Sequence, residues 1–202
     1  MPTYNRQAFN AELERDEGRR YYPYKDSLGI ETVGVGHNLA VAPLPGQTYP
    51  MSDSAVSALR DADIASTEKK LDTYLPWWRT LDDVRQRVML NMCFNLGIGR
   101  PGNGQGLLSF GTFLGLVQKG DYAAASRDLT GTLWHRQVGQ RAVRLEAMLE
   151  TGSAAAPASP APPYRPSPAP APLPKPSAAP AGIWQAVLAI LNAILAFFNR
   201  KV

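Results

Sequence analysis

Three polar residues near the start of the chain have types and spacings suited to acid–base chemistry: Glu17, Asp26 and Thr32. Glu17 follows Phe9 and Leu13 at intervals of four residues. A helix over Asn5–Glu17, stopped by Gly18, therefore sets its carboxyl on an apolar stripe. The same residue stands at a helix C-terminus, where the backbone dipole disfavours negative charge. Both placements favour the protonated acid, the form a proton donor needs. Asp26 lies in the polar turn Lys25–Gly29 and is expected to stay ionised. One carboxyl that holds a proton and one that does not is the pairing used in glycoside hydrolysis. There, one group protonates the leaving oxygen and the other deals with a water or the anomeric carbon. The plainer readings are an ordinary last-turn glutamate and an aspartate closing an Asx-turn. Spacing alone does not choose between them.

The segment Glu31–His37 reads as a strand. Thr32, Gly34 and Gly36 would share one face, with Val33, Val35 and His37 on the other. A face of one hydroxyl and two glycines leaves room for a bulky ligand near the backbone. Its Gly-x-Gly lacks the third glycine and the following helix of a dinucleotide fingerprint. Two histidines without clustered ligands give no metal site, and no cofactor is expected. The single cysteine, Cys93, excludes an internal disulfide and falls in an apolar helical segment, where inert core packing is expected.

The elements that must position these residues are mainly helical. After the strand region come helices over Ser52–Leu71 (with Ser52 as N-cap), Leu81–Leu96, Phe110–Gln118, Tyr122–Leu129 and Arg136–Leu149. Gly97–Gly106 is a glycine-rich loop. A small β-region on a helical body is an α+β layout.

Composition shifts divide the chain into residues 1–152, 153–182 and 183–202. The first part is globular in composition. The second contains eleven of the chain's 18 prolines, with alanine and serine, and reads as an extended linker. The third is an apolar helix candidate. Its Gln185, Ala189, Asn192, Ala196 and Asn199 form a narrow small-polar stripe, with Trp184 at one end and Arg200-Lys201 at the other. Residues 1–152 carry equal numbers of basic and acidic residues, so the net charge of +4 comes from Arg165, Lys175, Arg200 and Lys201. A folded domain without net positive charge argues against nucleic-acid binding.

The combination Glu17, Asp26, Thr32 and Gly34-x-Gly36-His37 resembles the catalytic stretch of the T-even phage lysozymes, glycoside hydrolase family 24 endolysins. Leu81–Arg85 with Leu90–Phe94 resembles the family's central helix. Trp134 and Arg141–Arg144 resemble its last helices, so the likeness covers roughly residues 8–152. It implies a lysozyme-like fold and hydrolysis of the β-1,4 bond between N-acetylmuramic acid and N-acetylglucosamine in peptidoglycan. Glu17 would be the acid, Asp26 and Thr32 would hold the attacking water, and the outcome would be inversion. Arg141 matches an arginine that pairs with the catalytic glutamate. His37 matches a histidine in a structural ion pair, with Asp61 the partner by alignment. Asn38 and Phe94 fall at or beside sugar-contacting positions, although Asn38 stands where relatives are apolar. Phe113 and Asp128 align with further substrate-binding positions across the longer glycine-rich loop. Trp134 is expected in the core and His135 on the surface.

The resemblance also implies a catalytic domain that is monomeric, and residues 153–202 lie outside it. Three arrangements of residues 183–202 stay open: an interfacial membrane helix, a self-associating or spanning helix, or a segment docked on the enzyme. The tail could be a natural extension or an added peptide. Met1–Asn10 is polar and lacks the apolar core of a signal peptide. Synthesis in the host cytoplasm and action on periplasmic peptidoglycan, with membrane contact through the tail, are the expectation.

Overall fold

The computed structural model describes residues 3–26, 29–101 and 104–154. The linker and apolar-helix expectations for the segment from residue 155 onward lie outside the described residues.

Helix α1 (Arg6–Glu17) begins at Asn5, whose side chain accepts from the Ala8 N–H, and ends where Gly18 at φ 76° donates to the Glu14 carbonyl. Phe9 and Leu13 are fully buried on its inner face. The chain then forms a three-stranded antiparallel sheet in the order β1-β2-β3. Its strands are β1 (Arg20–Lys25), β2 (Glu31–Gly34) and β3 (His37–Asn38). Thr32 sits between Tyr24 on one neighbour and Asn38 on the other.

The expected single strand through His37 is interrupted. Gly34 and Gly36 adopt φ of 68° and 76°, a left-handed conformation that turns the chain between β2 and β3. The expected two-face alternation is also absent, since Thr32, Val33, Gly34 and Val35 are all buried. The reason is the packing of helix α2 (Asp53–Tyr74) against the sheet: a Cβ at Gly34 would stand 3.3 Å from the Leu59 side chain.

Ser52 caps α2 by accepting from the Ala55 N–H. A short 3-10 turn over Pro76–Thr80 leads to helix α3 (Asp83–Leu96), capped by Asp82. This helix runs through the core, with every residue from Val84 to Cys93 buried except Arg85. Each large apolar side chain sealed there contributes about 1.5–3 kcal/mol. The loop after α3 is pinched where Gly99 and Gly106 cross: a Cβ on Gly99 would lie 2.0 Å from the Gln105 carbonyl oxygen. Only glycine fits such a crossing.

Helices α4 (Gly111–Lys119) and α5 (Tyr122–Thr130) follow. The expected helix Arg136–Leu149 is two helices, α6 (Leu133–Val138) and α7 (Gln140–Thr151). Gly139 at φ 55° and ψ −118° breaks the helical path between them. The end of α7 is held by Arg85, which donates to the Leu149 and Glu150 carbonyls at 2.8 and 3.0 Å and lies over the Tyr122 ring. The last-turn carbonyls of α7 are thereby satisfied. The described residues are thus mostly helical with one small antiparallel sheet. Among them no helix is long and apolar enough to cross a membrane.

Cys93 is 2% exposed, and burial pushes its thiol up to about 12. Such a thiol has almost no thiolate near neutral pH. A thiol-disulfide reagent at pH 8 is therefore expected to label Cys93 only after denaturant is added. Rapid labelling of the native chain would contradict its place in the core.

Candidate active site

Glu17 ends α1 with one fifth of its side chain exposed. Its Oε1 accepts a hydrogen bond from Arg141 Nη1 at 2.6 Å, joining the first helix to the seventh. The apolar stripe therefore delivers the carboxyl to a charged partner rather than to apolar surroundings. Arg141 is itself buried, donating from Nε to Asn91 Oδ1 at 2.8 Å and from Nη2 to the Asn91 carbonyl at 3.3 Å.

Behind this pair lies Asp16, whose side chain is wholly buried. It accepts from Asn91 Nδ2 at 3.1 Å and pairs with Arg144, while Arg141 Nε stands 3.7 Å away. With Arg15 Nε also 3.4 Å away, this buried carboxylate is surrounded by three guanidiniums and an amide and is not an isolated charge. Neither Asp16 nor Asn91 was singled out from sequence as a site residue. The available signal was polar residues at core-facing positions of helices.

Gly36 presses on the other side of Glu17. A Cβ there would stand 3.1 Å from Glu17 Oε2 and 3.3 Å from its Cγ. The open face expected for a ligand is thus partly taken up by the glutamate itself. Gly36→Ala is expected to lower bacteriolytic activity more than tenfold while costing stability only about 1–2 kcal/mol for the left-handed backbone. Parallel turbidity assays and thermal melts measure the two effects. Full activity would show that the glutamate's position is not set by this contact.

Asp26 and Thr32 meet at one residue, Ile30. The Asp26 Oδ1 accepts from Ile30 N at 2.9 Å, and its own N–H donates to Ile30 O at 3.0 Å. Thr32 Oγ1 donates to the same carbonyl at 3.2 Å. The aspartate closes the turn through the N–H four residues on, not two residues on as an Asx-turn would, and Ile30 ties it to the threonine. Thr32 is 5% exposed. Tyr24, opposite Thr32, has its phenol pushed up by burial and then by the charge of Glu17, with Asp26 adding to it and Arg20 opposing. Both carboxylates therefore act on this one ring.

The partner of His37 is Asp63, not Asp61. His37 Nδ1 lies 2.9 Å from both Asp63 oxygens, and Nε2 lies 2.8 Å from the Ala42 carbonyl. Burial pushes the Asp63 carboxyl up, with His37 opposing. Asp61 is half exposed and pairs with Arg6 and Arg60. Two residues apart on a helix, the two aspartates point to different sides, and only one can reach the sheet.

The expected substrate-binding residues separate into three places. Asn38 and Phe94 line one cleft together with Gly36 and Lys70. Asn38 Oδ1 also accepts from the Ala40 and Val41 N–H groups at 2.9 and 3.1 Å, which explains an amide at this position. Asp128 lines a second depression with Ser109, Phe110 and Thr132. Phe113 is fully buried in the core and cannot touch a sugar. Its helix buries Phe113, Leu114 and Val117 as its inner face. Trp134 is buried as expected, donating to Asn95 Oδ1 at 2.9 Å. His135, expected on the surface, is half-buried there, with Nδ1 2.7 Å from Glu146 Oε1. No cluster of metal-ligating side chains occurs among the described residues.

The family model described as phage lysozyme matches residues 14–149. The chain is similar to a protein named probable T4-type lysozyme 1 of Dictyostelium discoideum. The two are 26% identical over 163 residues, covering 70% of this chain and 92% of that protein. It is similar also to the pre-baseplate central spike protein Gp5 of Enterobacteria phage T4, 26% identical over 162 residues, which cover 70% of this chain and 27% of that protein. A third relative is a SAR-endolysin of bacteriophage PS119, 25% identical over 139 residues, covering 66% of this chain and 76% of that protein.

Proposed function

Since this chain belongs to the phage lysozyme family, a family of peptidoglycan-lysing glycosidases, we propose that it is a muramidase acting on the β-1,4 bond between N-acetylmuramic acid and N-acetylglucosamine. The observation that carries this reading is the Glu17 carboxyl, fixed by Arg141 on one side and by Gly36, a lining residue of the cleft, on the other. Glu17 donates its proton to the glycosidic oxygen as the bond from that oxygen to the anomeric carbon breaks. A water held by Asp26 and Thr32 attacks the anomeric carbon from the opposite face, gives up its proton to Asp26, and forms the new carbon–oxygen bond. The bonds at Ile30 support this assignment, because its carbonyl accepts from both the Asp26 N–H and the Thr32 hydroxyl while its N–H holds the Asp26 carboxylate.

Displacement by water on the opposite face converts a β bond into an α product. Proton NMR of the reducing ends released in the first minutes of digestion tests this. The α anomer is expected first, and an initial β anomer would replace the water with a covalent intermediate on the enzyme.

Residues 183–202 are proposed to bring the enzyme to anionic membranes. Support comes from the sequence: Ile183–Phe198 contains no charged residue, Arg200-Lys201 follows it, and the basic excess of the chain lies beyond residue 152. The full chain is expected to co-sediment with vesicles containing anionic lipid, and a chain ending at Gly152 is expected to stay in solution. Both should digest isolated peptidoglycan equally. Equal sedimentation of the two forms would remove the membrane role.

A further inference from the structure

The cleft that Gly36 lines includes residues beyond the expected sugar-contacting positions Asn38 and Phe94. It has a volume of about 210 Å³ and is lined also by Asn38, Phe94, and Ser66 and Lys70 of α2. Gly36, which lines it, also packs against the Glu17 carboxyl. Lys70 is the cation of the cleft.

The charged and titratable side chains lining this cleft are His37, Asp63 and Lys70. His37 and Asp63 are committed to one another, since both carboxylate oxygens lie 2.9 Å from His37 Nδ1. Lys70 has no carboxylate within ion-pair distance among the described residues, as the pair at this cleft is His37–Asp63. Lys70 is exposed, and it lines the cleft from α2, close enough for its charge to act on the Asp63 carboxyl and on the buried Cys93 thiol of α3. An aromatic ring, an amide and an unmatched cation lining one cleft suit a sugar that carries an acidic arm. The ring offers an apolar face, the amide a polar contact, and the ammonium a point charge for a carboxylate.

We propose that Lys70 makes this cleft a subsite for a carboxylate on the lactyl-peptide arm of muramic acid. The inference rests on the muramidase reading for the identity of the glycan. Two parts of that arm bear the same chemistry: the lactyl group once its peptide is gone, and the acidic residues of an intact stem peptide.

The test measures equilibrium binding to the full chain carrying Glu17→Gln, which prevents turnover, with and without Lys70→Gln or Lys70→Arg. Three soluble ligands are compared: neutral N-acetylglucosamine oligomers, glycan fragments stripped of peptide, and fragments with intact stems. Lys70→Gln is expected to weaken binding of carboxylate-bearing fragments about fivefold, the upper range for a partly exposed ion pair. Lys70→Arg should restore it, and added salt should erase the difference. Neutral oligomers should bind all forms alike. A loss confined to stem-bearing fragments assigns the peptide carboxylate, and a loss on stripped fragments as well assigns the lactyl group. An equal loss on neutral oligomers, or no loss on any ligand, overturns the proposal. Failure of every ligand to bind the Lys70 form would instead remove the glycan reading on which the proposal stands.

Discussion

Glu17→Gln is expected to reduce lysis of outer-membrane-stripped cells by 10²–10⁴-fold, roughly the contribution of a positioned general acid. The amide keeps the size and shape of the carboxyl, so the Gly36 contact and the end of α1 are preserved. What it removes is the transferable proton. Turbidity loss on stripped cells, followed beside a thermal melt, separates chemistry from folding. A melt close to that of the parent with lysis abolished is the expected pair of results. Lysis that persists in Glu17→Gln would shift the bacteriolytic activity from hydrolysis to the apolar tail.

Arg141→Ala should have the largest effect on stability of any change at this site. Arg141 is 7% exposed, and its guanidinium bonds to Glu17 and to the side-chain and backbone oxygens of Asn91, with Asp16 nearby. Removing one member of a buried ionic cluster leaves its partners without compensation and costs about 3–5 kcal/mol. For a domain of this size that is a fall in melting temperature of roughly 10 °C. Lysine in its place is expected to recover little, because one ammonium cannot reproduce bonds from three separate guanidinium nitrogens. Combining Arg141→Ala with Glu17→Gln in a double-mutant cycle should give a coupling of about 1–3 kcal/mol, since the two groups are in direct contact. Additive effects would mean that Arg141 serves the fold through Asn91 and Asp16 alone.

Much of this arrangement was legible because it depends on local chemistry. The cap at Asn5, the stop at Gly18 and the cap at Ser52 are statements about hydrogen bonds within a few residues, and the helices follow them. The pairing of Glu17 with Arg141 crosses 124 positions, and no periodicity could reveal it; only the family resemblance brought the two together. The same resemblance misled at Asp61. Alignment resolves helices to within a residue or two, whereas two residues on a helix separate Asp63, which faces His37, from Asp61, which faces Arg6 and Arg60. Phe113 erred in the opposite direction. Its spacing of four from Val117 marks a core face, whereas alignment across the longer glycine-rich loop puts it at a substrate-binding position. The break at Gly139 was written as a glycine inside a helical pattern, but whether such a glycine bends or ends a helix depends on what packs around it. Asp16 and Asn91 stayed hidden because a charged or amide residue in a core is explained only by partners from other helices.

The bond between the first helix and the seventh also orders events in time. Translation makes Glu17 early and Arg141 124 residues later. A nascent chain shorter than that carries the carboxyl but has no guanidinium to hold it, and helix α3 has Asn91 waiting without its donor. Assembly of the catalytic centre is therefore a late step of domain folding on the ribosome. A chain released before Arg141 possesses the sheet, the turn and the acid, yet lacks the group that holds the acid in place.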